Sequence, residues 1–194
     1  MLVEILKSSI TLFIIIDPFL SAVFFLGQFK NSTVKEKNKA IWTAILVAAA
    51  LLFVFLFAGL YVLGILNISF NGFQIAGGLI LLIMGVTSVL GVEIGKHRET
   101  ISSSAILIGT PLLSGPGALT TIVILSKSFG LFIPAIAGVL VLVASFFILK
   151  YAHLIEKMLG EEVIEICSKI LGLLLAALAV DFIYSGVSGF ISGG

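Results

Sequence analysis

Six runs of apolar residues, at about 5–29, 40–66, 70–91, 102–125, 130–149 and 170–191, fill most of a chain of 194 residues. Each approaches or exceeds the roughly 20 residues that a helix needs to cross a bilayer. Only 11% of the residues are charged and 60% are hydrophobic, whereas soluble domains carry about 25% charged residues. The connections between the runs are too short for a separate soluble domain, so the sequence predicts an all-α integral membrane protein with one membrane domain. The first run contains Asp17-Pro18 and stays apolar to Phe29 with no A-x-A cleavage site, so it reads as a span and not as a signal peptide.

Six spans make the connections alternate between the two sides, and the basic residues divide unevenly between them. Lys30, Lys35, Lys37, Lys39, Lys96, Arg98, Lys150, Lys157 and Lys169 fall on one side, while Lys7 and Lys127 fall on the other. The positive-inside rule makes the richer side cytoplasmic and puts both termini outside. Each half, 1–97 and 98–194, then holds three spans, an odd number. The halves must be oppositely oriented, which is the inverted-repeat arrangement of many transporters.

The fourth run carries Thr110-Pro111-Leu112-Leu113-Ser114-Gly115-Pro116-Gly117-Ala118-Leu119-Thr120-Thr121. Two prolines five residues apart cannot share one regular helix, because each removes a backbone donor and clashes with the carbonyl four residues back. The first run carries Ile16-Asp17-Pro18-Phe19-Leu20-Ser21-Ala22, which matches residues 109–115 at Pro, Leu and Ser with a fixed offset. Both halves are thus expected to hold a helix broken at membrane depth. The freed peptide groups must then face protein, water or a ligand, since hydrocarbon offers them nothing.

Asp17 reads first as an N-cap, since Asp before Pro is a preferred helix start. Counted from residue 5, it lies roughly 18 Å along the first span, near the middle of a ~30 Å core. An ionisable group at that depth also marks a substrate or proton path. Asp181 is the second carboxyl inside an apolar run, read either as a residue turned into the bundle or as a proton carrier, with Tyr184 on the same helix face. At each break the downstream half-helix offers N–H groups and the positive dipole end, and the upstream half offers carbonyls. A small zwitterion fits both. The substrate-binding candidates are Asp17, Pro18, Ser21, Thr110, Ser114, Gly115, Gly117, Ala118 and Thr121, and the proton-coupling candidates are Asp17 and Asp181. Ser21, Ser114, Thr120 and Thr121 are read mainly as partners for freed backbone groups.

Other features read as structural. Thr33-x-x-Glu36 is a capping box that starts the second helix near Val34. Lys35, Lys37 and Lys39 read as headgroup anchors, with Trp42 at the interface. Residues 154–169 read as one interfacial amphipathic helix. Small residues in 70–78 and 169–177 allow close helix packing and weakly extend the internal repeat to the third spans. One cysteine, Cys167, and two histidines, His97 and His153, form no metal or disulfide pattern, and no cofactor is expected.

The motifs at 109–121, Phe73-Gln74-Ile75-Ala76-Gly77-Gly78 and Gly172-Leu173-Leu174-Leu175-Ala176-Ala177 resemble those of the MarC family, also called the small neutral amino acid transporter family. The resemblance covers essentially the whole chain. It implies a six-helix prokaryotic inner-membrane protein, some members of which transport glycine, alanine and similar amino acids with protons. Leu20 and Val23 stand where the family's first motif usually has Gly and Pro, which implies a stiffer first half-helix here. The expected function is secondary transport of small neutral amino acids, proton-coupled, by alternating access. The expected partners are the amino acid, a proton and membrane lipid, with no nucleic acid; the oligomeric state is left open. The alternatives are an exporter of another small solute, a channel, or a membrane-embedded enzyme, for which no catalytic constellation is seen.

Overall fold

Local signals set where the helices begin and end in the computed structural model, which describes residues 1–29, 32–91 and 113–192. Helix α1 (Leu2–Ile16) and helix α2 (Pro18–Gln28) meet at Asp17, whose backbone is left-handed at φ 40° and ψ 72°. Helix α3 (Val34–Ile65) starts at the expected capping box: the Thr33 hydroxyl accepts from the Glu36 N–H, and the Glu36 carboxylate accepts from the Thr33 N–H. Asn67, also left-handed, lies in the turn to helix α4 (Phe70–Leu90), which Ser69 caps.

Helix α5 (Pro116–Phe129) opens with Pro116 after the N-cap residue Gly115, and helix α6 (Phe132–Lys150) follows directly. Beyond them lie the short helix α7 (Ala152–Leu159) and the long helix α8 (Glu161–Ile191). The single amphipathic helix expected over 154–169 is therefore two elements. Gly160, at φ 81°, turns the chain between them, a conformation open to glycine at no steric cost. Glu165 and Lys169 form an ion pair at 2.8 Å on the first turns of α8.

Five helical stretches among the described residues are long and apolar enough to cross a membrane: Leu2–Gly27, Val34–Ile65, Phe70–Leu90, Phe132–Lys150 and Glu162–Ile191. Of the fourth expected span, the part before residue 113 lies outside the described residues. Helix α5 alone has 14 residues, about 21 Å of helix, which falls short of a ~30 Å core. Leu46, Phe57, Leu79, Ile83, Leu140 and Leu173 all stand exposed on outward helix faces. Apolar surface on that scale suits a protein whose surroundings are lipid.

The most extensive packing joins α4 to α8. A Cβ placed on Gly78 would meet the Ala179 carbonyl oxygen at 2.8 Å, and one on Gly85 would meet the Ala176 nitrogen at 2.7 Å. One on Gly186 would meet the Asn71 carbonyl oxygen at 2.8 Å. As numbers rise along α4 they fall along α8, so the two helices run antiparallel. Membrane helices associate through such close backbone approach, because lipid offers no hydrophobic force to press them together. The remaining core is built by α1 and α3 against α5 and α6, around Leu12, Leu52, Leu56, Ile122 and Val123.

Candidate functional site

The interruption at Asp17 follows from one absent donor and one versatile side chain. Pro18 has no N–H, so the Ile14 carbonyl loses its helical partner, while the ring suits the first position of a new helix. The Asp17 N–H still closes α1 on the Phe13 carbonyl at 3.1 Å, and the Asp17 carbonyl opens α2 by accepting from the Ser21 N–H and hydroxyl, each at 3.1 Å. Its side chain accepts from the Leu20 N–H at 3.1 Å, the N-cap bond read from the sequence. Ser21 is fully buried and serves the backbone.

The second oxygen of Asp17 accepts a hydrogen bond from the Ser168 hydroxyl at 2.7 Å, across 151 residues of sequence. Both groups are buried, at 8% and 4% exposure. Ser168 lies on α8, and its carbonyl accepts from the Ser88 hydroxyl on α4 at 3.4 Å. Asp17 is thereby tied to the level of Ser88, two residues from the end of α4. Counting from residue 5 put it at mid-depth, but α1 already begins at Leu2 and its 15 residues cover about 22 Å before the interruption. The carboxyl lies nearer the Ser88 end of α4 than its middle.

The second motif is described from Leu113 onward; Thr110 and Pro111 lie outside the described residues. Leu113, Ser114 and Gly115 are buried, and Gly115 as N-cap brings no side-chain oxygen to the start of α5. Around α5, Gly117 and Thr120 face α4: a Cβ on Gly117 would strike the Leu81 side chain, and the Thr120 methyl fills the space beside Gly77. Gly117 thus makes room for α4. Val123 faces Gly59 of α3, and Ile122 faces Gly138 of α6. Ala118 and Thr121 lie on the arc that remains, and α1 is the further helix packed on α5. The start of α5 runs alongside Leu81 and Met84 of α4.

Thr121 stands out by what its hydroxyl lacks. Thr120, Ser126, Ser128 and Ser145 all donate back to a carbonyl three or four residues earlier, the usual resolution for a hydroxyl inside a helix. Among the described residues, the hydroxyls of Thr121 on α5 and of Ser8 and Ser9 on α1 are buried without a partner. Ser8, Ser9 and Ser168 were not singled out from the sequence, because an isolated serine in an apolar run carries no signal of what it will face. Asp181 and Tyr184 are exposed on the outer side of α8, so Asp181 is neither turned into the bundle nor near Asp17.

A family model described as "MarC family integral membrane protein" matches residues 2–191. Among curated proteins, the chain is 31% identical to a UPF0056 membrane protein of Archaeoglobus fulgidus, over 92% of this chain and 89% of the relative. It is 29% identical to the UPF0056 membrane protein YhcE of Escherichia coli, over 96% of this chain and 93% of that one. It is also 25% identical to the UPF0056 inner membrane protein YhgN of the same organism, over 98% and 99%. No solved structure matches.

Proposed function

The chain belongs to the MarC family of integral membrane proteins, and on that premise we propose that it is a secondary transporter of small neutral amino acids such as glycine and alanine, coupled to protons and working by alternating access. The observation that carries this reading is the buried carboxyl of Asp17 at a helix interruption inside a membrane-spanning stretch. Asparagine could fill the same structural place without an ionisable group, whereas a transporter uses one to hold an ammonium or a proton.

The architecture proposed for it is six spans in two inverted repeats, 1–97 and 98–194. The packing between the halves supports this, because each contact from a span of one half to a span of the other keeps its counterpart when the halves are exchanged. The first span, α1 and α2, packs on α6 and α8; α5, in the fourth span, packs on α3 and α4, the corresponding helices of the other half. Helices α4 and α8 pair with each other, as do α3 with α6 and α1 with α5. Cell-membrane location with both termini outside rests on the nine-to-two division of basic residues.

In this reading the substrate lies between the two interruptions. Its carboxylate meets the N-terminal end of α5 at Ser114, Gly115 and Ala118, where the helix dipole favours an anion. Its ammonium turns to the carbonyl-bearing end of α1 and to Asp17. Thr121 supplies a hydroxyl one turn into α5, and Thr110 belongs to the same motif. Asp17 is assigned the proton. Asp181, on the outer side of α8, is the weaker candidate for it.

The test is uptake of radiolabelled glycine into proteoliposomes with and without an imposed pH gradient. The gradient should raise initial uptake several-fold, and unlabelled alanine should compete. Asp17→Asn should retain counterflow of glycine at weaker affinity but lose the response to the gradient, while Asp181→Asn keeps both. Saturable uptake of glycine that ignores the gradient in the native protein removes the proton; no saturable uptake of glycine or alanine removes the substrate class.

A further inference from the structure

We propose that a crevice between α3 and α6, at the lysine-rich end of the bundle, binds the phosphate headgroup of an anionic phospholipid. The crevice has a volume of about 110 Å³ and is lined by Asn38, Ile41, Trp42, Phe146 and Lys150. Its position is fixed by where two helices leave the apolar layer. Lys150 is the last residue of α6, and Trp42 stands on α3 just beyond a first stretch carrying Lys35, Lys37 and Lys39. Aromatic rings and lysines gather at this boundary because one end of each prefers hydrocarbon and the other water.

The charge of the crevice is one-sided. The Lys150 ammonium sits 5.7 Å from the centre of the Phe146 ring and 5.9 Å from that of Tyr151, held by two ring faces. Among the described residues no carboxylate lies within ion-pair distance of it. Lys35 and Lys39 lie three or four residues from Asn38 or Trp42 on the same side of α3, so two more exposed ammonium groups stand on that stretch of helix beside the crevice. Glu36, the acidic residue of that stretch, is engaged by Thr33 at the cap. Lys150 and the Asn38 amide are donors of the kind that bind phosphate oxygens.

The apolar side distinguishes a lipid from a free anion. Trp42 and Phe146 meet with ring centres 4.8 Å apart, and both lie directly above outward-facing Leu46 on α3 and Val143 on α6. An acyl chain lying along those residues continues from a phosphate seated at Lys150. Soluble phosphates have nothing to place there.

Trp42 is the sole tryptophan of the chain, so its fluorescence reports on this crevice alone. The protein is reconstituted in phosphatidylcholine vesicles containing a fixed fraction of either phosphatidylglycerol or phosphatidylcholine with brominated acyl chains, and quenching of Trp42 is compared. Brominated phosphatidylglycerol should quench at least threefold more strongly than brominated phosphatidylcholine at equal fraction. Lys150→Gln should bring the ratio close to one, and Lys35→Gln, which removes the same charge from the exposed start of α3, should leave most of it. Free glycerol phosphate at millimolar concentration should not restore the fluorescence.

Equal quenching by the two lipids overturns the proposal. An equal effect of Lys150→Gln and Lys35→Gln does so as well, since it reduces the preference to general attraction by surface lysines. Reversal by free glycerol phosphate makes the crevice a site for soluble phosphates. Lys150 is exposed, so its replacement leaves folding intact, and an unchanged thermal transition checks this.

Discussion

Asp17→Ala is expected to destabilise the protein by about 3 kcal/mol, and Asp17→Asn by less than about 1 kcal/mol. Three separate losses add in the alanine variant. The N-cap bond to Leu20 disappears, at about 1 kcal/mol. Alanine must adopt the left-handed backbone at φ 40°, which costs a residue without a short polar side chain roughly another 1 kcal/mol. The buried Ser168 hydroxyl loses its acceptor, again at about 1 kcal/mol. Asparagine avoids all three. It tolerates the left-handed region, its oxygen caps α2, and its amide can donate to Ser168 once the serine hydroxyl turns to accept. Thermal unfolding of the two variants in detergent separates these outcomes, with a difference of several degrees expected between them. If the alanine variant melts with the native protein, Asp17 does not hold α1, α2 and α8 together in the way described. The pair of variants also separates stability from mechanism: asparagine removes the titratable proton and leaves the architecture intact, so any transport defect in it is a defect of chemistry.

What the sequence made legible was whatever depends on residues close in the chain. The Asp17-Pro18 cap and the Thr33–Glu36 capping box each need only four consecutive residues, and both are formed. The apolar runs give the helical stretches because 20 residues of hydrocarbon-compatible side chains have few other fates. The partner of Asp17 was not legible. Ser168 is one serine among many, and only the seating of α8 against α1 and α4 brings it within 2.7 Å. Gly117 shows a different limit: a glycine in an apolar run announces that something comes close, but the pattern is the same whether that neighbour is a ligand or Leu81. For Asp181 the difficulty is that α8 is apolar on nearly every side, so no periodicity in its sequence tells the lipid face from the packed one. Its exposure is a property of which face α4 covers.

Gly85→Leu should be the more damaging of the two structural substitutions, with a loss of about 3 kcal/mol or more and a low yield of monodisperse protein. The β-carbon alone would lie 2.7 Å from the Ala176 nitrogen, 2.8 Å from the Gly172 carbonyl oxygen and 3.0 Å from the Ala176 α-carbon. All three neighbours are backbone atoms of a regular helix, so no rotamer change relieves them and α8 has to move away from α4. Overpacking within a core typically costs 1–3 kcal/mol, and here the damage spreads, because dispersion contacts are lost along the most extensive helix pair of the fold. Lipid chains replace the lost contacts only in part, and no hydrophobic pressure restores them. The displacement also reaches the candidate site: the Ser88–Ser168 bond bridges the same pair of helices, and Ser168 in turn holds Asp17. Gly64→Leu is the matched control. That glycine is exposed near the end of α3, a β-carbon there meets nothing within 4 Å, and leucine is the better helix former. Size-exclusion profiles and melting temperatures should therefore place Gly64→Leu with the native protein and Gly85→Leu well below it, with Gly85→Ala between them. If Gly85→Leu melts with Gly64→Leu, α4 and α8 do not approach at their backbones, and Ser168 must be positioned by some other contact.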